Sequence, residues 1–203
     1  MIYLCSDWHV FHTNIIKHGE RPFADVTEMN EALVNNFNSV VKQEDEVYFL
    51  GDFSMNTNGL VIVQKLNGLI YLLPGNHDKC FPWNGKTQLA DRRKRYYDAG
   101  FKKILDREIT MVINNEIVVL NHFPYQENNP EYTQKYAEYR PIDNGGWLIH
   151  GHCHQAWLKK GRMINVSCEP WNYLPVSLEQ IIQVMNDPRE FILNVDELNT
   201  KVL

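Results

Sequence analysis

The chain has 203 residues, 44% of them apolar and 22% charged, with a formal net charge of −5. That length and balance are those of a soluble globular protein, read as a single domain over residues 1–203 with a core large enough to stand without staples. The negative charge argues against a protein held on nucleic acid by bulk electrostatics, although bound metal ions would add positive charge that a residue count omits.

Four cysteines occur, Cys5, Cys80, Cys153 and Cys168, none with CxxC spacing, so reduced thiols in a cytoplasmic protein are expected. The first seven residues carry neither a basic region nor a long apolar run, unlike a signal peptide. No window approaches the ~18 apolar residues that span a bilayer, so no membrane partner is expected.

The recurring feature along the chain is a short apolar run that passes directly into polar, ionisable residues. Residues 2–5 run into Ser6-Asp7-Trp8-His9, and residues 47–50 into Gly51-Asp52. Residues 69–73 run into Pro74-Gly75-Asn76-His77-Asp78, 117–120 into Asn121-His122, and 147–149 into His150-Gly151-His152-Cys153-His154. Each run is short and rich in β-branched or aromatic residues and reads as a buried strand.

Helical patterns separate the first three. Met29, Leu33, Phe37, Val40 and Val41 form one stripe over residues 28–41, with Asp25 and Glu28 spaced as a capping box and Thr27 as a rival cap. Residues 58–67 and 87–98 read as two further helices, ending near Gly68 and Gly100. Residues 109–113 and 117–120 flank Asn114-Asn115-Glu116 as a hairpin. Residues 124–146, rich in Tyr, Asn and Pro, fit no clear element, and such a stretch in a compact domain is usually functional. A helix over 178–185 and a short strand over 191–195 close the chain. Strands alternating with helices imply an α/β fold with largely parallel neighbours, and the later hairpin implies two sheets with helices outside.

Ligands of open α/β sheets bind beyond the carboxyl ends of the strands. Clusters at five such ends can therefore converge. In extended chain residues i and i+2 face the same way, so Asp7 and His9 can share a site while Trp8 packs away, and His152 and His154 can do so with Cys153 turned aside. Taken singly, Asp7, Asp52, Asn76, His77 and His152 each read equally well as a strand-end cap or turn former. Jointly, carboxylate, imidazole and amide oxygen suit borderline divalent ions such as Mn, Fe, Co, Ni or Zn. Seven candidate ligands are too many for one tetrahedral zinc and a good number for two ions sharing a carboxylate. Two such ions ~3.5–4 Å apart can clamp the oxygens of an in-line displacement at phosphorus.

The ordered set Asp7-x-His9, Gly51-Asp52, Gly75-Asn76-His77-Asp78, His122 and Gly151-His152-x-His154 resembles the calcineurin-like metallophosphoesterases, over residues 2 to about 170. The opening Ser6-Asp7-Trp8-His9-Val10-Phe11-His12-x-Asn14-Ile15-Ile16 is similar to a small prokaryotic and phage branch of that family. The resemblance implies two mixed β-sheets packed face to face with helices outside, a four-layer α/β/β/α sandwich. It implies a dinuclear centre of two divalent metal ions, with manganese placed first. Asp7, His9 and His154 would hold the first ion, Asn76, His122 and His152 the second, and Asp52 would bridge them. His77 would contact the phosphate and protonate the leaving oxygen, and Asp78 would orient His77. Phe53 stands where the family's protein phosphatases continue with an acidic, arginine-bearing motif, which argues against that activity. No added domain of the kind carried by the family's double-strand-break nucleases is evident.

The remaining candidates are open. His12 contacts phosphate or a metal-held water, or caps the helix that follows. Arg21 reaches an anionic substrate or makes a surface ion pair. His18 and His150 read as structural. Arg92, Arg93, Lys94 and Arg95 read as a solvated helix face rather than a nucleic-acid contact. Tyr132, Tyr136 and Tyr139 have helical spacing and read as packing, and Trp147, Trp157 and Trp171 as core or rim. The expected activity is hydrolysis of a phosphodiester, such as a nucleotide, by a metal-activated hydroxide. Phosphomonoester hydrolysis and nuclease action are alternatives on the same site, and a non-catalytic metal-binding scaffold is the alternative of another class.

Overall fold

At the centre of the first sheet lies β2 (Glu46–Phe49), flanked by β1 (Ile2–Cys5) and β3 (Leu69–Leu72), all parallel. The parallel β4 (Lys103–Ile104) and the antiparallel β10 (Val176–Ser177) form its edges, in the order β10-β1-β2-β3-β4. The computed structural model describes residues 1–82 and 88–190, and the strand expected over 191–195 lies outside them. The second sheet runs β5-β6-β7-β9-β8, built from β5 (Glu108–Ile113), β6 (Glu116–Asn121), β7 (Trp147–His150), β8 (Lys159–Lys160) and β9 (Met163–Asn165). Parallel and antiparallel pairs mix in both sheets, as expected.

The pleat sorts each strand's side chains between two cores. Tyr3, Cys5, Val47, Phe49, Ile70 and Leu72 face an outer core completed by Met29, Leu33 and Phe37 of α2 (Val26–Val40) and Tyr96 of α3 (Leu89–Ala99). Leu4, Leu50, Leu73 and Val176 face the other way, onto Val118, Leu120, Ile149 and Ile164 of the second sheet. The two sheets therefore pack face to face. Register aligns the ends that matter: Cys5 pairs with Phe49 and Phe49 with Leu72, so the loops after β1, β2 and β3 leave the sheet at one level.

Several local expectations change. Residues 57–65 form a 3-10 segment rather than an α-helix. The run Val61-Ile62-Val63 is stiff at χ1 and Gly59 is a poor helix former. The segment also lies tight on the β2 loop, where a Cβ at Gly59 would stand 2.1 Å from Ser54 Oγ. Tyr136 and Tyr139 do not share a helix with residue 132. The helix α4 (Pro130–Gln134) stops first, and Tyr136 takes a left-handed backbone. Its ring stacks on Phe123, whereas Tyr139 packs on Phe81. The hairpin is tighter than expected. Ile113 pairs with Glu116 across Asn114 and Asn115, both at positive φ, as a two-residue type I′ turn requires.

At the start of α2, Asp25 accepts hydrogen bonds from the N–H groups of Thr27 and Glu28. Glu28 reaches back to Ala24 N rather than to Asp25, one residue beyond a strict capping box. The Asp25 carboxylate thus satisfies two otherwise orphaned donors. Asp25→Ala should cost ~1 kcal/mol, read as a fall in melting temperature of about 2–4 °C. An unchanged melting temperature would mean that water serves these donors equally well.

Candidate metal centre

The parallel ladder continues past the strand ends. Asp7 N donates to Gly51 O, His9 N to Asp52 O, and Gly151 N to His122 O, each at 3.0 Å. The loops that carry the motif residues are thereby stitched together before any side chain acts. The backbone there is not extended: φ is 60° at Asp7, 51° at His9, 54° at Asp52, 70° at His152 and 47° at His154. The alternation expected of a straight strand is therefore not what aims Asp7 and His9 into one ligand group, or His152 and His154 into two different ones. Left-handed turns do so, a strain typical of functional sites. Trp8 nonetheless packs into the core, edge-on to Phe37 and Phe49.

Two glycines let the loops close. A Cβ on Gly75 would lie 2.3 Å from Asp52 Oδ1 and 2.7 Å from His122 Cε1. Gly51, at φ +94°, would place one 2.4 Å from Gly75 N. Only glycine permits both that backbone angle and that approach.

Two groups of potential ligand atoms result. Asp7, His9 and His154 form one, and Asp52, His122 and His152 the other, with the atoms of each group within 4.8 Å of one another. Asn76 joins the second through Oδ1, 3.2 Å from His122 Nε2. Asp52 lies between the groups: its Oδ2 is 3.6 Å from His9 Nε2 and 3.5 Å from His122 Nε2. The donor set fits a pair of divalent cations. Asp7 Oδ1 and both ring nitrogens of His9 are buried with no hydrogen-bond partner, a costly state for polar atoms that a cation would relieve. Asp7 Oδ2, by contrast, is occupied by Ser167 Oγ and His152 N. His122 Nδ1 meets Leu50 O at 2.8 Å, which leaves Nε2 as the ligand nitrogen.

Electrostatics follow from burial and neighbours. Burial drives His9 down to about 3, against the pull of Asp52. Burial opposes charge on His122 as well, but Asp52 and the Leu50 carbonyl raise it to about 9. Burial would raise Asp52, yet His122, His9 and His77 hold it well below the usual carboxylate range. Glu169, likewise opposed by burial, is brought to about 2 by His154 and Arg21.

His77 sits at the rim, its side chain 41% exposed and its Nε2 4.0 Å from Asp52 Oδ2. Its backbone N–H donates to Asp52 Oδ1. Asp78 is fully buried, and its carboxylate accepts from the N–H groups of Asp52, Phe53, Ser54 and Gly75. It shapes the loops that present Asp52 and His77. Burial and the adjacent Asp52 push it up to about 7, against those backbone bonds. His12 heads the short helix α1 (Thr13–His18) but makes no side-chain cap bond, and its ring lies 5.9 Å from that of His9. Arg21 is buried, not on the surface. It pairs with Glu169 and donates to Asp7 O and Trp8 O. His150 is buried with Nδ1 on Gly151 O, in keeping with a structural role.

Residues 1–175 match the family described as calcineurin-like phosphoesterase. The chain belongs to the calcineurin-like phosphoesterases. It is 35% identical over 195 residues to the uncharacterized protein MJ1445 of Methanocaldococcus jannaschii, covering 91% of this chain and 90% of that one. It is 28% identical over 211 residues to the Gene 66 protein of Mycobacterium phage L5, covering 91% and 94%. The crystal structure of protein AQ665 from Aquifex aeolicus superposes with a TM-score of 0.64 at 27% identity, covering 91% of this chain and 98% of that one. These relatives agree with the prokaryotic and phage branch expected from the opening motif.

Glu127, Arg140, Ser167 and Glu169 were not legible as site residues in the sequence. They belong to no motif, and the partners of Glu169 lie 148 and 15 positions away. Removing the Asp78 carboxylate should strand up to four buried N–H donors. Asp78→Ala is expected to destabilise the metal-free fold by roughly 3–5 kcal/mol, a melting shift on the order of 10 °C. Asp78→Asn, with one acceptor oxygen left, should fall between. A melting temperature within a degree of wild type would show that the carboxylate does not hold these loops.

Proposed function

We propose that this calcineurin-like phosphoesterase hydrolyses phosphodiesters of nucleotide type at a dinuclear centre, as one domain spanning residues 1–203. The observation that carries the reading is the placement of Asp52 Oδ2 between the two ligand groups. Asp7, His9 and His154 would hold one ion, Asn76, His122 and His152 the second, and Asp52 both. The set suits Mn, Fe, Co, Ni or Zn, with manganese the first to test. Two bound ions would supply Lewis acidity to activate water and to neutralise charge on the phosphoryl oxygens.

The chain's own residues do the rest. Asp52, Asp7 and the histidines orient the reacting groups on a rigid floor fixed by the backbone stitching beneath them. His77 is anchored through its N–H to Asp52 Oδ1 while its imidazole reaches the exposed rim. That position suits a general acid delivering a proton to the leaving oxygen. Its ring centroid is 5.2 Å from that of His9, so the acid and the first ligand group face one substrate space. His12 lines the same side.

A diester is favoured over a monoester by the fate of the arginines. Arg21 and Arg140 are brought to the site, but both are tied to glutamates, Glu169 and Glu127. Neither is presented as a clamp for a terminal phosphate. All four cysteines are unpaired, which supports a reducing, cytoplasmic setting. Among the described residues no helix is long and apolar enough to cross a membrane.

The test is hydrolysis of a chromogenic bis-aryl phosphodiester and of its monoester by metal-free protein, with Mn, Ni, Fe and Zn added back in turn. Metal-dependent turnover of the diester is expected. His77→Ala should lower it by ~10²–10⁴-fold with metal content unchanged. Preference for the monoester would overturn the substrate assignment. No turnover with any metal, in protein that binds two ions per chain, would establish the scaffold reading instead.

A further inference from the structure

Two arginine–glutamate pairs flank the centre, and each ends on a histidine of a different ligand group. On one flank, Arg21 donates through Nη2 and Nε to Glu169 Oε1, at 2.7 and 3.1 Å. The same oxygen meets His154 Nδ1 at 2.9 Å. On the other flank, Arg140 Nη2 donates to Glu127 Oε1, and that oxygen lies 3.5 Å from His152 Nε2. Both arginines are pinned by main-chain carbonyls. Arg21 binds Asp7 O and Trp8 O at 2.6 and 2.7 Å. Arg140 binds Pro124 O and Thr133 O at 3.0 and 2.9 Å. The Arg140 guanidinium also lies over the Phe123 ring, which itself packs edge-on to His152. The order Arg–Glu–His is thus built twice, from unrelated stretches of chain.

A histidine that gives one ring N–H to a carboxylate has its tautomer, its orientation and the basicity of its other nitrogen set by that bond. The arginine keeps the carboxylate ionised and in place. Glu169 on Nδ1 leaves His154 Nε2 for an ion. Glu127 facing Nε2 leaves His152 Nδ1. We propose that Glu127 and Glu169 are positioning residues, each with its arginine setting the affinity of one ligand group independently of the other. Glu169 governs the Asp7–His9–His154 group and Glu127 the Asp52–His122–His152 group. The proposal rests on the two-ion reading. It also gives residues 124–140 a role, since Glu127 and Arg140 bring that irregular segment onto the second group.

The test is titration of metal-free wild type, Glu127→Gln and Glu169→Gln with manganese alone, read as bound ions per chain and as stepwise affinities. Glutamine keeps the shape but loses the charge. Wild type should bind two ions. Each variant should weaken one binding step by about 10–100-fold and leave the other within a few-fold. In a His154→Ala background, adding Glu169→Gln should cost nothing further, because Glu169 acts through His154, whereas adding Glu127→Gln should still weaken the step of the other group. Glu127→Asp and Glu169→Asp, which restore the charge on a shorter stem, should recover part of the loss. Thermal unfolding of the metal-free forms separates misfolding from lost affinity. Glu127 is the less buried of the two, so Glu127→Gln and its aspartate partner carry the test if the Glu169 variants do not fold. Two ions bound as in wild type by both glutamine variants would overturn the proposal and leave the phosphoesterase reading standing. Joint weakening of both steps by one substitution would also overturn it, because it denies independent control. Fewer than two ions in wild type would defeat the two-ion reading first and this inference with it.

Discussion

A single buried carboxylate orders the loops on which the centre stands. Asp78 lies three residues beyond Gly75 and accepts N–H bonds from both sides of a junction: from Asp52, Phe53 and Ser54 after β2, and from Gly75 after β3. A turn of four donors onto one acidic group fixes the backbone as a helix cap does, but inside the protein. Because those donors include Asp52 itself, the carboxylate that lies between the two ligand groups inherits its position from Asp78. Gly51 and Gly75 are the steric complement, since any side chain there would occupy the space that the junction closes.

Charge is arranged with the same economy. The floor of the site holds Asp7, Asp52 and Asp78, all buried. Imidazoles answer part of their charge, as the depressed Asp52 and the raised His122 show. Asp7 Oδ1 and the ring nitrogens of His9 remain without hydrogen-bond partners. Such a collection is expensive to bury on its own and becomes favourable with cations among it. The arginines stand one layer out, where Arg21 and Arg140 stabilise glutamates that in turn hold histidines.

Much of this was legible in the sequence because the chemistry is local to each strand end. Five apolar runs passing into Asp, Asn and His placed the strands, and order and spacing identified the seven candidate ligands and the family. Asp7, His9 and His154 do come together, as do Asp52, His122 and His152. The conformational route was misread: positive φ at alternate residues, not extended pleating, turns these side chains inward. Local composition does not reveal a left-handed backbone at aspartate or histidine. The 3-10 segment at 57–65 was also hidden, because the close lie of Gly59 on Ser54 of the loop after β2 is a tertiary contact. The supporting glutamates were invisible for a different reason. Glu169 and Glu127 act only through tertiary neighbours, Arg21 from 148 residues away and His152 from a different loop, and no spacing rule reaches that far.

The most direct test of the central claim is anomalous diffraction from crystals of the protein grown with manganese. Two peaks ~3.5–4 Å apart are expected, one against Asp7, His9 and His154 and one against Asn76, His122 and His152, with the Asp52 carboxylate touching both. A single peak, or manganese bound elsewhere while these side chains remain unliganded, would contradict a dinuclear centre bridged by Asp52.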